Sequence, residues 1–137
     1  MANIVDELLK LDRAKLEELP TAEVPVKRLS ELTEKEAKVT VRAIKGDRYM
    51  ELAAIMVDKA GNPNYQKSYD AQALIVSEGM VDPDIRDEKL QKHFGCASSK
   101  ELVKLLFPGG DLVNIAGKIT ELSGFDGDKN KEDEIKN

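Results

Sequence analysis

The chain has 137 residues, enough for one domain that can bury a hydrophobic core without disulfides or metal ions. Its net charge is −5 and its basic residues are interleaved with acidic ones, which argues against nucleic acid as the main partner because phosphate binding needs a concentrated basic face. A single cysteine rules out an internal disulfide and indicates a reducing compartment, and no apolar run is long enough to span a membrane.

Residues 3–18 form the first predicted element. Their large apolar side chains recur at a spacing close to 3.6 residues, which predicts a helix capped by Asn3 and ended by Pro20. The segment lacks the basic stretch and the continuous apolar run of a signal peptide, so we expect a protein of the cytoplasm.

The pattern then changes to one typical of strands. Residues 24–29 alternate in character, and residues 38–44 are rich in β-branched side chains. The intervening residues 30–37 are mostly polar. The two segments therefore predict one antiparallel β-hairpin with a long connection.

A helix that begins at Gly46 is the next predicted element. Thr33 and Glu36 also have the spacing of a capping box, but Gly46 followed by an aspartate is the better start signal. This helix has one apolar face and ends near residues 60–63. The following helix, about residues 68–79, is apolar on more than one side, which predicts a buried central helix on which the hairpin packs.

Three further helices are predicted between the central helix and residue 125. Each begins at a capping residue and ends at a glycine or a proline. The paired boundary residues are, in chain order, Asp87 and Gly95, Ser98 and Pro108, and Asp111 and Gly124. Together with the hairpin, these helices predict an α+β fold that is predominantly α-helical.

Residues 126–137 differ from the rest of the chain in composition. They are mostly charged, and Ile135 is their one large apolar residue. Such a segment cannot bury enough apolar surface to offset the entropy lost on ordering. We therefore expect a single domain over residues 1–125, followed by a disordered acidic tail over residues 126–137.

His93 and Cys96 are the one pair that resembles a catalytic base and nucleophile. Cysteine–histidine catalysis needs the two side chains within hydrogen-bonding distance and a third group that orients the imidazole ring. A single histidine rarely supplies a whole site, so roles in helix capping and on the surface are favoured. One cysteine and one histidine are also too few soft ligands for most zinc sites. We expect no enzymatic activity, no metal ion and no cofactor.

Two other motifs are incomplete. Residues 126–130 have the spacing of a calcium loop, but Lys131 stands where the loop needs glycine and Asn137 where it needs glutamate. Residues 108–111 resemble a phosphate-binding loop, yet they lack the lysine and hydroxyl residue that complete it, and Asp111 would repel phosphate. We interpret the first as a solvated tail and the second as a turn between helices.

Some apolar residues have two interpretations. Methionine adapts to varied partners, so Met50, Met56 and Met80, together with the leucine-rich residues 102–106, are candidates for a binding groove. Apolar stripes on helices usually face the interior, however. For each of these residues a place in the core is favoured over a place in an interface.

Several segments occur in an order and at spacings that point to a known family. They are residues 5–11, 26–30, 40–44, 78–83, 92–95, 101–109 and 119–125, followed by the acidic tail. None is specific alone, but together they cover nearly the whole chain. The combination resembles the XkdN-like tail assembly chaperones of long-tailed bacteriophages and phage-derived elements. The turn positions of this pattern are Gly79, Pro83, Gly95, Pro108, Gly109 and Gly124.

The resemblance implies a non-enzymatic chaperone made in the infected or lysogenic bacterium. Such a protein binds the long, aggregation-prone tape measure protein, keeps it soluble and helps to recruit tail tube subunits around it. It acts in the cytoplasm of the host and is expected to be absent from the mature particle.

The partner surface is expected on the exposed part of the last two helices. The candidate residues are Leu102, Leu105, Leu106, Leu112, Ile115 and Ile119. Two alternative functions remain open: a structural tail or head-completion subunit that stays in the particle, and a small acidic regulator that binds other proteins. Self-association also remains open.

Overall fold

The structure, a computed structural model, describes residues 3–125. These residues form eight α-helices and one antiparallel sheet with strand order β1-β2-β3, which confirms the mainly helical α+β fold. The elements are α1 Ile4–Leu8, α2 Arg13–Glu17, β1 Thr21–Pro25, α3 Lys27–Thr33, β2 Lys38–Arg42, α4 Gly46–Ala53, α5 Tyr65–Gly79, β3 Met80–Asp82, α6 Glu88–His93, α7 Ser99–Leu106 and α8 Gly110–Leu122. A 3₁₀ turn, Ala54–Met56, extends α4. The tail expected over residues 126–137 lies outside the described residues.

The predicted hairpin is present, but its first strand begins earlier than expected. Thr21 pairs with Arg42, and Pro25 pairs with Lys38. The strand ends at Pro25, and the next residues form α3 instead of continuing it, since lysine, arginine, leucine and glutamate favour a helix. The Ser30 hydroxyl closes the connection by accepting a hydrogen bond from the Ala37 backbone N–H at 2.8 Å.

A third strand completes the sheet and was not predicted from the sequence. Asp82 of β3 pairs with Thr40, and Met80 pairs with Val41, with an irregular register between these two positions of β2. Three residues are too few to show the alternation by which a strand is recognised. Met80 is 9% exposed and belongs to the core, as favoured for it, whereas Met50 is 57% exposed, so the core interpretation was wrong for Met50.

The predicted N-terminal helix is divided into two short helices, α1 and α2. Asn3 caps α1 as expected, because its side chain accepts a hydrogen bond from the Val5 backbone N–H at 3.0 Å. Residues 9–12 interrupt the helix, and Asp12 takes the extended conformation of a second N-cap. Neither helix contains a buried residue.

The central helix α5 is buried as predicted and begins three residues earlier than the sequence suggested. Ala71, Ala73 and Val76 are fully buried, and Ile75 is 1% exposed. The helix packs against α7, α8 and β2. The sheet and these helices therefore share one hydrophobic core.

The C-terminal end of α8 contacts α4 and the residues that precede α4. The Phe125 ring stacks on the Tyr49 ring, with centroids 4.5 Å apart. The Tyr49 hydroxyl lies 2.9 Å from Oγ1 of Thr120, and the Ser123 hydroxyl accepts a hydrogen bond from the Ile44 backbone N–H at 2.9 Å. These contacts bring the last described residue next to the start of α4.

Candidate interaction surfaces

The six residues expected to contact a partner divide into a buried and an exposed group. Leu105 is 49% exposed, and Leu106 is partly buried against the core. The other four are at most 1% exposed: Leu102, Leu112, Ile115 and Ile119. A hydrophobic pattern identifies the apolar face of a helix but not what covers it. In this fold α5 covers the apolar face of α7, and α5 and the sheet cover that of α8, so the four buried side chains offer no surface to a partner.

The helix α7 is held by the cap that the sequence predicts. The Ser98 hydroxyl accepts a hydrogen bond from the Glu101 backbone N–H at 3.2 Å. The Glu101 carboxylate accepts one from the Ala97 backbone N–H at 2.8 Å, one residue before the position of a standard capping box. At the other end, the Gly109 backbone N–H donates to the Tyr69 hydroxyl at 3.0 Å. The orientation of α7 and of its exposed Leu105 is thus fixed at both ends.

An ion pair on the surface joins α7 to α5. The Lys104 ammonium group contacts the Asp70 carboxylate and lies 5.7 Å from the centroid of the Tyr69 ring, and Lys100 lies 3.5 Å from the same carboxylate. The hydrogen bond from Lys104 holds the pKa of Asp70 below its ordinary value. This cluster therefore links the two helices at the surface.

The predicted turn positions all lie at the ends of elements. Gly95, Gly109 and Gly124 have positive φ angles, and the peptide bond before Pro83 is cis. Their places are, in chain order, the end of α5 for Gly79, the residue after β3 for Pro83, the end of α6 for Gly95, the turn between α7 and α8 for Pro108 and Gly109, and the end of α8 for Gly124. The motif that carries the family resemblance is therefore largely a pattern of element boundaries.

The N-terminal apolar segment, residues 3–18, is a surface that was not predicted from the sequence. Its six exposed large apolar residues are Ile4, Val5, Leu8, Leu9, Leu11 and Leu16. None of them belongs to the core cluster of the described residues. The signal available in the sequence is the apolar periodicity itself, which gives no information on whether the rest of the chain covers it.

A second surface is a basic cleft at the junction of β2, α4 and α5. The basic cleft has a volume of about 280 Å³. The apolar side chains of Leu19, Ala43 and Ile44 form part of its lining. Its charged lining residues are Arg42, Lys45, Arg48, Arg86 and Glu78. Positive charge is thus concentrated here although the whole chain is acidic.

Arg48 is the only one of the four cations of the basic cleft with an ion pair among residues 3–125. Its Nε donates to the Glu78 carboxylate at 2.7 Å, and its Nη1 donates to Glu51 at 2.8 Å. These hydrogen bonds raise the pKa of Arg48 above its ordinary value, so the guanidinium remains charged. In the described part of the chain, Arg42, Lys45 and Arg86 have no ion pair and no side-chain hydrogen bond.

His93 and Cys96 lie at the end of α6 and just after it. The His93 ring contacts the ring of Phe94 edge-on, and the Cys96 thiol donates a weak hydrogen bond to the Phe94 carbonyl at 3.8 Å. Within residues 3–125, no group of three histidine, cysteine or acidic side chains is close enough to hold a metal ion. The same residues contain no helix that is both long and apolar enough to cross a membrane.

Comparison with known proteins identifies the family. A family model described as the phage XkdN-like tail assembly chaperone protein matches residues 5–136. The fold is similar to the crystal structure of the protein YqbN, with a TM-score of 0.59 and 25% sequence identity over 80% of this chain and 88% of that chain. No curated protein sequence matches significantly. Because the family model spans almost the entire sequence, the chain belongs to the XkdN-like phage tail assembly chaperones.

Proposed function

We propose that the protein is a non-enzymatic chaperone that binds apolar helical segments of a phage tape measure protein, keeps that protein soluble and helps to recruit tail tube subunits around it. Membership of the tail assembly chaperone family supports a partner from the phage tail. A tape measure protein is the partner that most needs a temporary cover, because a long helical chain with apolar stripes aggregates until a tube surrounds it.

The observation that carries the proposal is the N-terminal apolar segment. Leu9 is 79% exposed, Ile4 is 68% exposed and Leu16 is 65% exposed. Large apolar side chains that are exposed together on one segment often mark an interaction site, whereas single exposed apolar side chains usually do not. Their spacing includes the i, i+3 and i+4 positions by which one amphipathic helix packs on another.

Charge explains how a complex with an apolar partner stays soluble. The chain carries a net charge of −5, so complexes that contain it repel one another. Leu105, at 49% exposure, supplies a further apolar contact on α7, next to the partly buried Leu106. We propose that the N-terminal apolar segment is the principal contact and that Leu105 and Leu106 form an accessory one.

Co-expression with the tape measure protein tests this directly. We expect the tape measure protein to become soluble and to be recovered in a complex with this chain. The variant Leu16→Glu should weaken the complex about tenfold or more, because a carboxylate would replace an apolar anchor. Failure to recover any complex with the unaltered chain would contradict the proposed function.

Leu32→Glu is the matched control. Leu32 is also 65% exposed but lies on α3, outside the N-terminal apolar segment. It should leave solubilisation and the recovered complex unchanged. Equal losses in the Leu16 and Leu32 variants would show that added charge, not the segment, weakens binding. Leu105→Glu, measured in the same way, tests the accessory contact.

We further propose that the protein acts in the cytoplasm of the bacterial host and leaves before the tail is complete. Mass spectrometry of purified particles separates this from the alternative of a structural subunit. A chaperone should be absent from the particles although abundant in the lysate. Its presence at a fixed ratio to the tail tube protein would instead support a structural role.

A further inference from the structure

The basic cleft holds positive charge that the described part of the chain does not neutralise. Arg42, Lys45 and Arg86 lack an ion pair within residues 3–125, and only Arg48 is paired. Like charges at the rim of a concave surface repel one another and attract an anionic group. In a protein with a net charge of −5, such a concentration of unpaired cations points to an anionic ligand.

The course of the chain suggests which anion this is. The described residues end at Phe125, whose ring stacks on Tyr49, the residue after Arg48. The Ser123 hydroxyl accepts a hydrogen bond from the backbone of Ile44, which lines the basic cleft. The described chain therefore ends beside residues 44–49, which include the lining residues Ile44, Lys45 and Arg48, so Phe125 lies a short distance from the cleft.

The composition of residues 126–137 is complementary to the cleft. Their carboxylates are those of Asp126, Asp128, Glu132, Asp133 and Glu134, against three lysines. The densest run, residues 132–134, begins seven residues beyond Phe125, and an extended chain of that length reaches roughly 20 Å. We propose that the basic cleft binds this acidic C-terminal segment of the same chain.

Because the segment and the cleft belong to the same chain, weak contacts are sufficient to keep the segment bound. A short tether gives the segment an effective concentration on the order of millimolar at the cleft. Side-chain charges alone provide the attraction, so the bound segment needs neither a helix nor a strand. The segment would neutralise Arg42, Lys45 and Arg86 and exclude other anionic groups from the basic cleft.

Paramagnetic relaxation in the full-length chain tests the proposal. A nitroxide attached to Asn137→Cys, in a Cys96→Ser background, adds no charge to the segment. We expect it to broaden the amide signals of residues 42–48 and of Arg86. Raising the salt concentration from about 0.01 M to about 1 M shortens the screening length from about 30 Å to about 3 Å and should abolish the broadening.

Two triple variants with the same change in net charge provide the control. Arg42→Gln, Lys45→Gln and Arg86→Gln together should remove the broadening. Lys27→Gln, Lys59→Gln and Lys67→Gln together should retain it, because these lysines do not line the cleft. The dispersion of the amide spectrum shows whether each variant remains folded.

Three results would overturn the proposal. One is the absence of broadening in the unaltered cleft at low salt. Another is equal broadening in both triple variants, or equal loss in both. The third is broadening that persists when the nitroxide is on one chain and the isotope label is on another, since the segment would then occupy the cleft of a second copy.

Discussion

Gly79 lies at the meeting point of α5, α8 and β2. A Cβ atom at this position would stand 2.6 Å from Cδ1 of Ile119 and 3.0 Å from the backbone oxygen of Arg42. The sequence marks Gly79 as a turn position, but the structure gives a different reason for the glycine. The absence of a side chain lets the helix end approach the strand and α8.

Replacing Gly79 with alanine should therefore lower the free energy of unfolding by about 1–3 kcal/mol, because Ile119 and the β2 backbone would have to move. Gly117→Ala is the matched control. Gly117 lies within α8, and a Cβ there would meet nothing within 4 Å. That substitution should raise stability by about 0.5–1 kcal/mol through the better helix propensity of alanine. Urea unfolding of both variants measures the contrast, and a neutral Gly79→Ala would contradict the close packing.

At the scale of elements, the contact between α5 and α7 includes a charged cluster as well as the core. The pKa of Asp70 is lowered from 3.8, mainly by the hydrogen bond from Lys104. A lowered pKa means that the folded state favours the carboxylate. Its contribution to stability is therefore complete above the ordinary value and is lost as the pH falls through the lower value in the folded protein.

We accordingly expect Asp70→Asn to be less stable than the unaltered protein at neutral pH, by a small amount because the pair is exposed to solvent. The difference should shrink as the pH falls below 3.8. Urea unfolding at a series of pH values measures this. Glu31→Gln is the control, since Glu31 has no ion pair among the described residues. A difference that does not depend on pH would show that the pair contributes nothing through its charge.

The elements differ in how far the sequence predicts them. Helices with a clear cap and a clear end, such as α6 with Asp87 and α7 with Ser98, are found where they are predicted. The short strand β3 is not predicted, because it exists only through its pairing with β2. The N-terminal helix is predicted as one and found as two, since apolar periodicity alone does not show where the chain bends.

The candidate site is less predictable than the fold, because it too depends on how separate elements pack together. Leu102 and Leu105 belong to the same apolar stripe of α7, yet one is fully buried and the other is 49% exposed. Periodicity assigns both to one face, and only the position of α5 separates them. The basic cleft is likewise assembled from β2, α4 and the loop before α6, which no local pattern connects.

For the whole molecule, we expect stability to depend on Phe125 but not on the residues beyond it. Removing residues 126–137 should leave the thermal midpoint nearly unchanged, because charged side chains remove little apolar surface from water. Phe125→Ala should lower the free energy of unfolding, because it removes the stacking of the Phe125 ring on Tyr49. We expect a decrease of only about 1–2 kcal/mol, since the ring is only partly buried.

Thermal unfolding followed by circular dichroism measures both effects. Phe94→Ala is a suitable control, because Phe94 is 45% exposed and Phe125 is 40% exposed, but the ring contact of Phe94 is with its sequence neighbour His93. It should change the midpoint less than Phe125→Ala. At about 1 M salt, which screens the charge contacts proposed for the basic cleft, a large loss of stability on removal of residues 126–137 would show that they contribute apolar contacts, contrary to their composition.

The helix α5 passes into β3 without a loop, since Gly79 ends the helix and Met80 begins the strand. Glu78 and Arg42, which both line the basic cleft, therefore belong to one continuous hydrogen-bonded body, in which Met80 pairs with Val41 next to Arg42. No loop separates the helix that carries Glu78 from the strand that pairs with β2. The backbone in this part of the cleft is preorganised, so an incoming peptide loses its own conformational freedom on binding while the backbone beneath it loses almost none.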